Sequence, residues 1–358
     1  MNEKSWLRVL NSCSDNLKSK TCPELSRRIQ NLKWAGFLAI LVLLVGCVGM
    51  AEAQQPRKIS RIGFLSSVSP ELYSHLYTAF LQGLRDLGYI EGQNIVIESR
   101  WAEGKADRLP DLAAELVRLK VDLIASTGGT VTALPVKKAT TTIPVVFIAG
   151  GDLVKVGLIA SLARPGGNLT GLSLLTTELN VKRLELLKET FPKVHRVAML
   201  GNPANPAYAS QLSEAQAAAK ALALQLQVVE ARGPKDFESA FSEMTQKGAG
   251  ALLVLSDPML NAHRERIANL ATKSHLPAIY EFKEFVEAGG LMSYGTNIVD
   301  VYRRVAKFVD KILKGAKPAD LPVEQPLNFE FFINLKTAKA LGVTIPPNVL
   351  ARADKVIQ

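Results

Sequence analysis

The chain has 358 residues, 47% hydrophobic and 21% charged, an ordinary globular composition long enough for two domains with separate cores. Seven Lys/Arg against four acids in residues 1–53 account for three of the ten net positive charges. The remaining +7 is scattered along helix patterns with no basic stripe interleaved with aromatics, which argues against a nucleic-acid partner. Cys13, Cys22 and Cys47 are the only cysteines, so the body of the protein has no disulfide scaffold, thiolate metal site or cysteine nucleophile, as suits an oxidising compartment.

Residues 1–53 read as a leader. Arg27, Arg28 and Lys33 precede an apolar run at 34–50, and Ala51-Glu52-Ala53 gives the small-x-small pattern of signal cleavage, placing the expected cut after Ala53. Leu44-Val45-Gly46-Cys47 offers an alternative, a lipoprotein box that would make Cys47 a lipid anchor. Membrane association is therefore expected only through the leader or that lipid.

The body alternates strands and helices. Residues 59–65 form a buried-strand pattern running into Ser66-Ser67-Val68-Ser69-Pro70, and Leu72, Leu76, Ala79, Phe80, Gly83, Leu84 and Leu87 follow at helical spacing. A strand at 94–101, a helix at 107–120 and a strand at 121–126 lead to the loop Thr127-Gly128-Gly129-Thr130. A helix at 131–139 and a strand at 143–149 complete this half. Alternation at these lengths implies a parallel sheet. Its loops gather Ser66, Ser67, Thr127, Gly128, Gly129 and Thr130 at one edge, where unpaired helix N–H groups and helix dipoles favour an anion such as a carboxylate.

Residues 150–173 carry the chain across to a second half. Asp152 follows the strand at 143–149, and Arg164-Pro165-Gly166-Gly167-Asn168 is dense in turn formers. The second half repeats the plan: helix 180–190, strand 196–200, the loop at 201–206 with Asn202, an Ala-rich helix at 207–223 that includes Tyr208, strand 225–230, helix 236–247 and strand 251–255. Ser256-Asp257-Pro258, a helix at 260–274, a strand at 278–281 ending in Glu281, and residues 289–296 with Tyr294 follow. A helix at 299–313, a Pro-rich connector at 318–326, a strand at 327–333 and a helix at 335–341 are expected to cross back, giving three hinge segments. The fold class expected is α/β, two Rossmann-like lobes with parallel sheets joined by a three-segment hinge: residues 58–172 with 297–318, and 173–296 with 319–358. The cleft between them is the natural ligand site.

Nucleotide, nucleophile-elbow and zinc-protease signatures are missing, and His75, His195, His263 and His275 are isolated, so no cofactor and no metal are expected. Asp152, Asp257 and Glu281 are strand-end carboxylates with no accompanying nucleophile, which makes binding a simpler role than acid/base catalysis.

Four stretches carry a family resemblance: Ala149-Gly150-Gly151-Asp152, the segment at 161–171 with Arg164-Pro165-Gly166-Gly167-Asn168, the segment at 284–295 with Ala288-Gly289-Gly290-Leu291-Met292-Ser293-Tyr294-Gly295, and residues 332–342. Together they resemble the ABC transporter substrate-binding proteins of the tryptophan/tyrosine-type group, from about Arg61 to Ile357. Members often carry Pro where this chain has Leu153. The resemblance implies a type I periplasmic-binding-protein fold that traps a solute by closure. It further implies a periplasmic monomer that delivers an amino-acid-like solute to an ABC permease and its ATPase, and no enzymatic activity. On that expectation the carboxylate of the solute lies at Ser67, Thr127 and Thr130, and Asp257 takes the amino group with Asp152 or Glu281 as substitutes. Tyr294, Tyr208 and Phe282 pack against the side chain or take the cation by ring-face attraction. A sensing subunit for a membrane receptor, or an α/β enzyme using Asp152 and Asp257, are the alternatives.

Overall fold

The computed structural model describes residues 59–358. The expected cleavage after Ala53 and the Cys47 anchor lie outside the described residues.

The first sheet is wholly parallel, in the order β2-β1-β3-β4-β5, from β1 (Ser60–Ser66), β2 (Ile95–Trp101), β3 (Leu123–Thr127), β4 (Val145–Ala149) and β5 (Leu169–Ser173). Its central strands β3 and β4 are buried along their whole length, because helices cover both faces. Helices α1 (Pro70–Asp86), α2 (Leu109–Arg118) and α3 (Thr130–Ala139) follow β1, β2 and β3. One face packs Phe64, Phe80 and Val146, and the opposite face packs Leu65, Leu116 and Phe147.

The second sheet has seven strands in the order β12-β11-β10-β9-β8-β6-β7: β6 (Arg196–Gly201), β7 (Gln225–Glu230), β8 (Ala251–Val254), β9 (Ala278–Tyr280), β10 (Met292–Gly295), β11 (Glu330–Asn334) and β12 (Lys355–Ile357). Only the β10–β11 pair is antiparallel. Helices α4 (Thr176–Thr190), α5 (Tyr208–Ala221), α6 (Phe237–Gln246), α7 (Pro258–Ala262), α8 (Arg264–Lys273) and α9 (Lys283–Glu287) flank it. The helix expected over 260–274 is two helices. At His263 the backbone leaves helical geometry, with φ −104° and ψ 24°, and this turns Arg264 into the first residue of α8.

The chain passes between the sheets three times: from β5 into α4, from β10 into α10 (Ile298–Leu313), and from the segment before β11 into β11. Helix α10 returns to the first sheet, where Val301, Val305 and Phe308 join the same core as Phe80 of α1. The late connector corrects the expected division after residue 318. Thr170 donates its hydroxyl to the Leu321 carbonyl at 2.8 Å, and Glu324 bridges Leu172, so residues 319–324 edge the first sheet before the chain crosses. The strand expected from 327 begins at Glu330. Helix α11 (Leu335–Leu341) and the short α12 (Pro347–Leu350) finish the second lobe.

Among the described residues no helix is long and apolar enough to cross a membrane.

Candidate functional site

The strand ends β1, β3 and β4 place three loops at one edge of the first sheet, facing the second lobe. The β3 loop is the tightest. Gly128 and Gly129 have φ of +83° and +87°, the left-handed region, and a Cβ on Gly128 would come within 2.5 Å of the Ser67 hydroxyl. That hydroxyl donates to the Gly128 carbonyl at 3.0 Å and fixes the turn. Helix α3 starts at Thr130 with no side-chain cap, and its Thr132 N–H donates to the Gly129 carbonyl at 3.1 Å.

The lobes touch across this cleft. Tyr73 of α1 donates its hydroxyl to the Pro258 carbonyl at 3.5 Å, and the Asp152 N–H donates to the Ser210 hydroxyl at 3.3 Å. Ala262 and Phe282 of the second lobe join the core of the first. The lobes thus close on a narrow cavity of about 60 Å³.

Its walls differ by lobe. The first lobe contributes Gly128, Gly129 and Thr130, the apolar Leu76, Ile148 and Ile298, and the rings of Tyr73 and Tyr302. The second lobe contributes Asn205, Gln211, Ser256 and Asn261, with Arg264, Phe282 and Glu284. Tyr73 and Tyr302 meet edge to face with centroids 6.4 Å apart. Burial raises the pKa of both phenols, so they remain neutral. The Tyr302 hydroxyl lies within hydrogen-bonding reach of the Thr127 side chain and the Gly128 backbone. His75 also lines the cavity, and burial followed by the nearby Arg264 charge lowers its pKa.

Several expected residues serve the site from behind. Thr127 donates to the Leu65 carbonyl at 3.3 Å and Thr130 to the Gly150 carbonyl at 2.6 Å, so these hydroxyl protons, like that of Ser67, brace the loops instead of facing a solute. Ser66 is fully buried, and its oxygen accepts from the Val68 N–H at 3.4 Å.

Asp257 does not present a free carboxylate. As the N-cap of α7 it accepts from the Met259 and Leu260 N–H groups at 2.9 and 3.0 Å, and its other oxygen accepts from Asn202 and Asn205 at 3.2 and 2.9 Å. With its acceptor positions filled, it orients Asn205 and the Pro258 turn, which line the cavity.

The rest of the expected set lies elsewhere. Asp152 is exposed in a separate groove beside Glu178 and Glu214, and accepts from the Val154 and Lys155 N–H groups at 3.1 and 2.9 Å. Tyr208 sits in the second-lobe core and donates to Glu230 at 3.0 Å; burial and that carboxylate push its pKa up to about 12. Tyr294 packs against Phe329 and Phe331, with centroids 6.0 and 6.2 Å away. Glu281 is 2% exposed, behind the cavity, with the equally buried Arg183 guanidinium 3.9 Å away. Phe282 does line the cavity.

The residues missed were Tyr73, Tyr302, Arg264, Glu284, Asn205 and Gln211. Both tyrosines occupy core-facing helix positions, indistinguishable by spacing from packing residues. Arg264 was hidden in a helix taken as continuous.

Two lobes with mostly parallel sheets, three crossings and a cavity between them define a type I periplasmic binding protein. Residues 61–357 match the family described as ABC transporter substrate binding protein, and the chain belongs to it. It is 26% identical over 327 residues to a tyrosine-binding protein of Clostridioides difficile (strain R20291), covering 89% of this chain and 93% of that one. Among solved structures, an ABC domain from Streptococcus pneumonia in complex with L-Trp is 29% identical, with a TM-score of 0.77 over 83% of this chain and 99% of that chain. A conserved domain protein from Vibrio cholerae O1 biovar eltor str. N16961 is 28% identical, with a TM-score of 0.79 over 84% of this chain and 100% of that chain.

Proposed function

We propose that this chain is the extracytoplasmic receptor of an ABC import system and encloses an amino acid with an aromatic or large apolar side chain. Its export follows the leader, with Ala53 as the cleavage site and Cys47 as the alternative anchor. The permease and its ATPase are its partners, and no bond is made or broken in the cleft. The observation that supports the ligand class is the composition of the walls. Apolar groups and rings (Leu76, Ile148, Ile298, Tyr73, Tyr302, Phe282) share the cavity with hydrogen-bonding side chains (Asn205, Gln211, Ser256, Asn261), and that mixture suits a molecule with one apolar end and one polar end. The relatives that bind tyrosine and tryptophan point the same way. A micromolar solute needs about 8 kcal/mol, more than one loop supplies, and closure adds the second lobe's contacts to the first's.

Calorimetric titration of the leaderless protein with the twenty amino acids tests this. Saturable binding confined to tyrosine, tryptophan, phenylalanine and the large aliphatics is expected, and a panel without binding removes the reading. Closure has its own probe. A Cβ on Gly151, at φ +83°, would meet Ala207 of the opposite lobe at 2.7 Å, whereas Gly88, at φ +85°, has nothing within 4 Å. Gly151→Ala is expected to weaken binding about tenfold more than Gly88→Ala, and equal affinities would show that the lobes need not meet there.

A further inference from the structure

Arg264 and Glu284 are opposite charges in one cavity that do not satisfy each other. Arg264 forms no ion pair among the described residues, and its hydrogen bond is a long one, 3.4 Å, to the Asn261 carbonyl of the preceding turn. Glu284 lines the same cavity from α9, and its Oε2 is buried with no hydrogen-bond partner. The competing cation at the neighbouring position, Lys283, is occupied elsewhere, 3.2 Å from Glu330. Burial raises the Glu284 carboxyl; its own backbone N–H and the Lys283 charge offset part of that rise, and the Arg264 charge adds a smaller pull in the same direction. Arg264 and Glu284 still stop short of contact. A buried carboxylate oxygen without a donor is costly, and a guanidinium with open donors beside it would ordinarily swing in to pair. Arg264 opens α8 and Glu284 sits on α9, so each is held on its own helix.

Resting on the amino-acid reading above, we infer that Arg264 and Glu284 form a split receptor for the zwitterionic head of the ligand, Arg264 taking the carboxylate and Glu284 the ammonium. The missing partner of each is then the opposite end of one molecule. The geometry also orients the ligand. Arg264 lines both the inner cavity and the outer groove between α1 and α8, so the carboxylate lies toward the mouth. The side chain is directed away from it, against Leu76, Ile148 and Ile298. The N-terminus of α3 offers dipoles but no formal charge, so strict selection for a molecule with both charges falls to these two side chains.

The test pairs ligand deletions with side-chain deletions. L-tyrosine and L-tryptophan are titrated beside tyramine and tryptamine, which lack the carboxylate, and beside 3-(4-hydroxyphenyl)propionate and indole-3-propionate, which lack the ammonium. Wild-type protein should prefer the amino acids about tenfold to a hundredfold over either set. Arg264→Met should abolish the preference over the amines and keep that over the deamino acids. Glu284→Gln should do the reverse, and Arg264→Lys should restore part of the first. Melting temperatures near wild type show that the variants fold. Amino-acid binding with both preferences unchanged in the variants overturns this assignment and leaves the receptor reading standing. Failure of every amino acid to bind wild-type protein overturns both.

Discussion

Neighbouring strands β8 and β9 of the second sheet each deliver a buried acid at their C-terminal end, and the two acids have opposite surroundings. Asp257, after β8, is met by two backbone N–H groups and two asparagine side chains. Glu281, after β9, has no hydrogen-bonding partner of good geometry on either oxygen, and its compensation is the Arg183 guanidinium 3.9 Å away. Burial raises both carboxyls: at Asp257 four donors oppose the rise, and Glu281 is carried up to about 7 against the pull of Arg183 and the nearby Ser256.

The strongest test of this contrast removes Arg183, the only cation beside Glu281 among the described residues. Arg183 also donates to the Tyr294 carbonyl at 2.8 Å and to Asn180 at 2.7 Å, which ties α4 to the strand that leads into the second crossing. Arg183→Met is expected to cost about 3–5 kcal/mol in urea unfolding at pH 8, because it leaves a buried carboxylate without compensation. The loss should shrink at pH 5, where Glu281 can take up a proton. An equal loss at both pH values would mean that the packing of Arg183, not its charge, stabilises the hinge side of the lobe.

Wild-type protein should show the same physics at smaller amplitude. The folded pKa of Glu281, about 7, lies above its ordinary value of 4.5, so between those values the folded state holds a proton that the unfolded state has released. Stability then falls as pH rises from 4.5 to 7 and flattens above, by about 3 kcal/mol as an upper bound. Unfolding measured across this window should give that downward slope, and Glu281→Gln should flatten it. A slope that persists in the variant would assign the proton to another group, Glu284 being the first to examine, since burial raises it too.

This contrast marks where the sequence was informative. Alternating strand and helix patterns, with turn residues at 127–130 and 164–168, were enough to place both sheets and the cleft, because hydrophobic periodicity is local. The glycines at 128 and 129 were legible as a loop at the cleft for the same reason. Which acid faces the solute was not. Asp257, Glu281 and Glu284 all lie at or just past strand ends, and only the three-dimensional supply of donors separates a helix cap from a buried ion pair and from a charge left open in the cavity. Tyr73 and Tyr302 were illegible for a related reason: a ring on the buried face of a helix packs and lines a pocket with the same spacing. The break at His263, which frees Arg264 from the middle of a helix, has no glycine or proline to announce it.

The smallest expected effect belongs to the well-satisfied acid. Asp257→Ala removes the α7 cap and leaves Asn202 and Asn205 without their acceptor, and is expected to cost about 2 kcal/mol in urea unfolding. Asp257→Asn keeps a good capping side chain, and its cost should be about 1 kcal/mol or less. Ligand affinity should follow the same order, since Asp257 acts by holding Asn205 and Pro258 in the cavity wall and not by meeting the solute. The discriminating measurement is the preference for amino acids over their deamino analogues. If Asp257 only positions the wall, its variants weaken both ligand sets together and leave that ratio as in wild type. A ratio that collapses in Asp257→Asn, with Glu284→Gln unaffected, would return the ammonium to the strand-end aspartate.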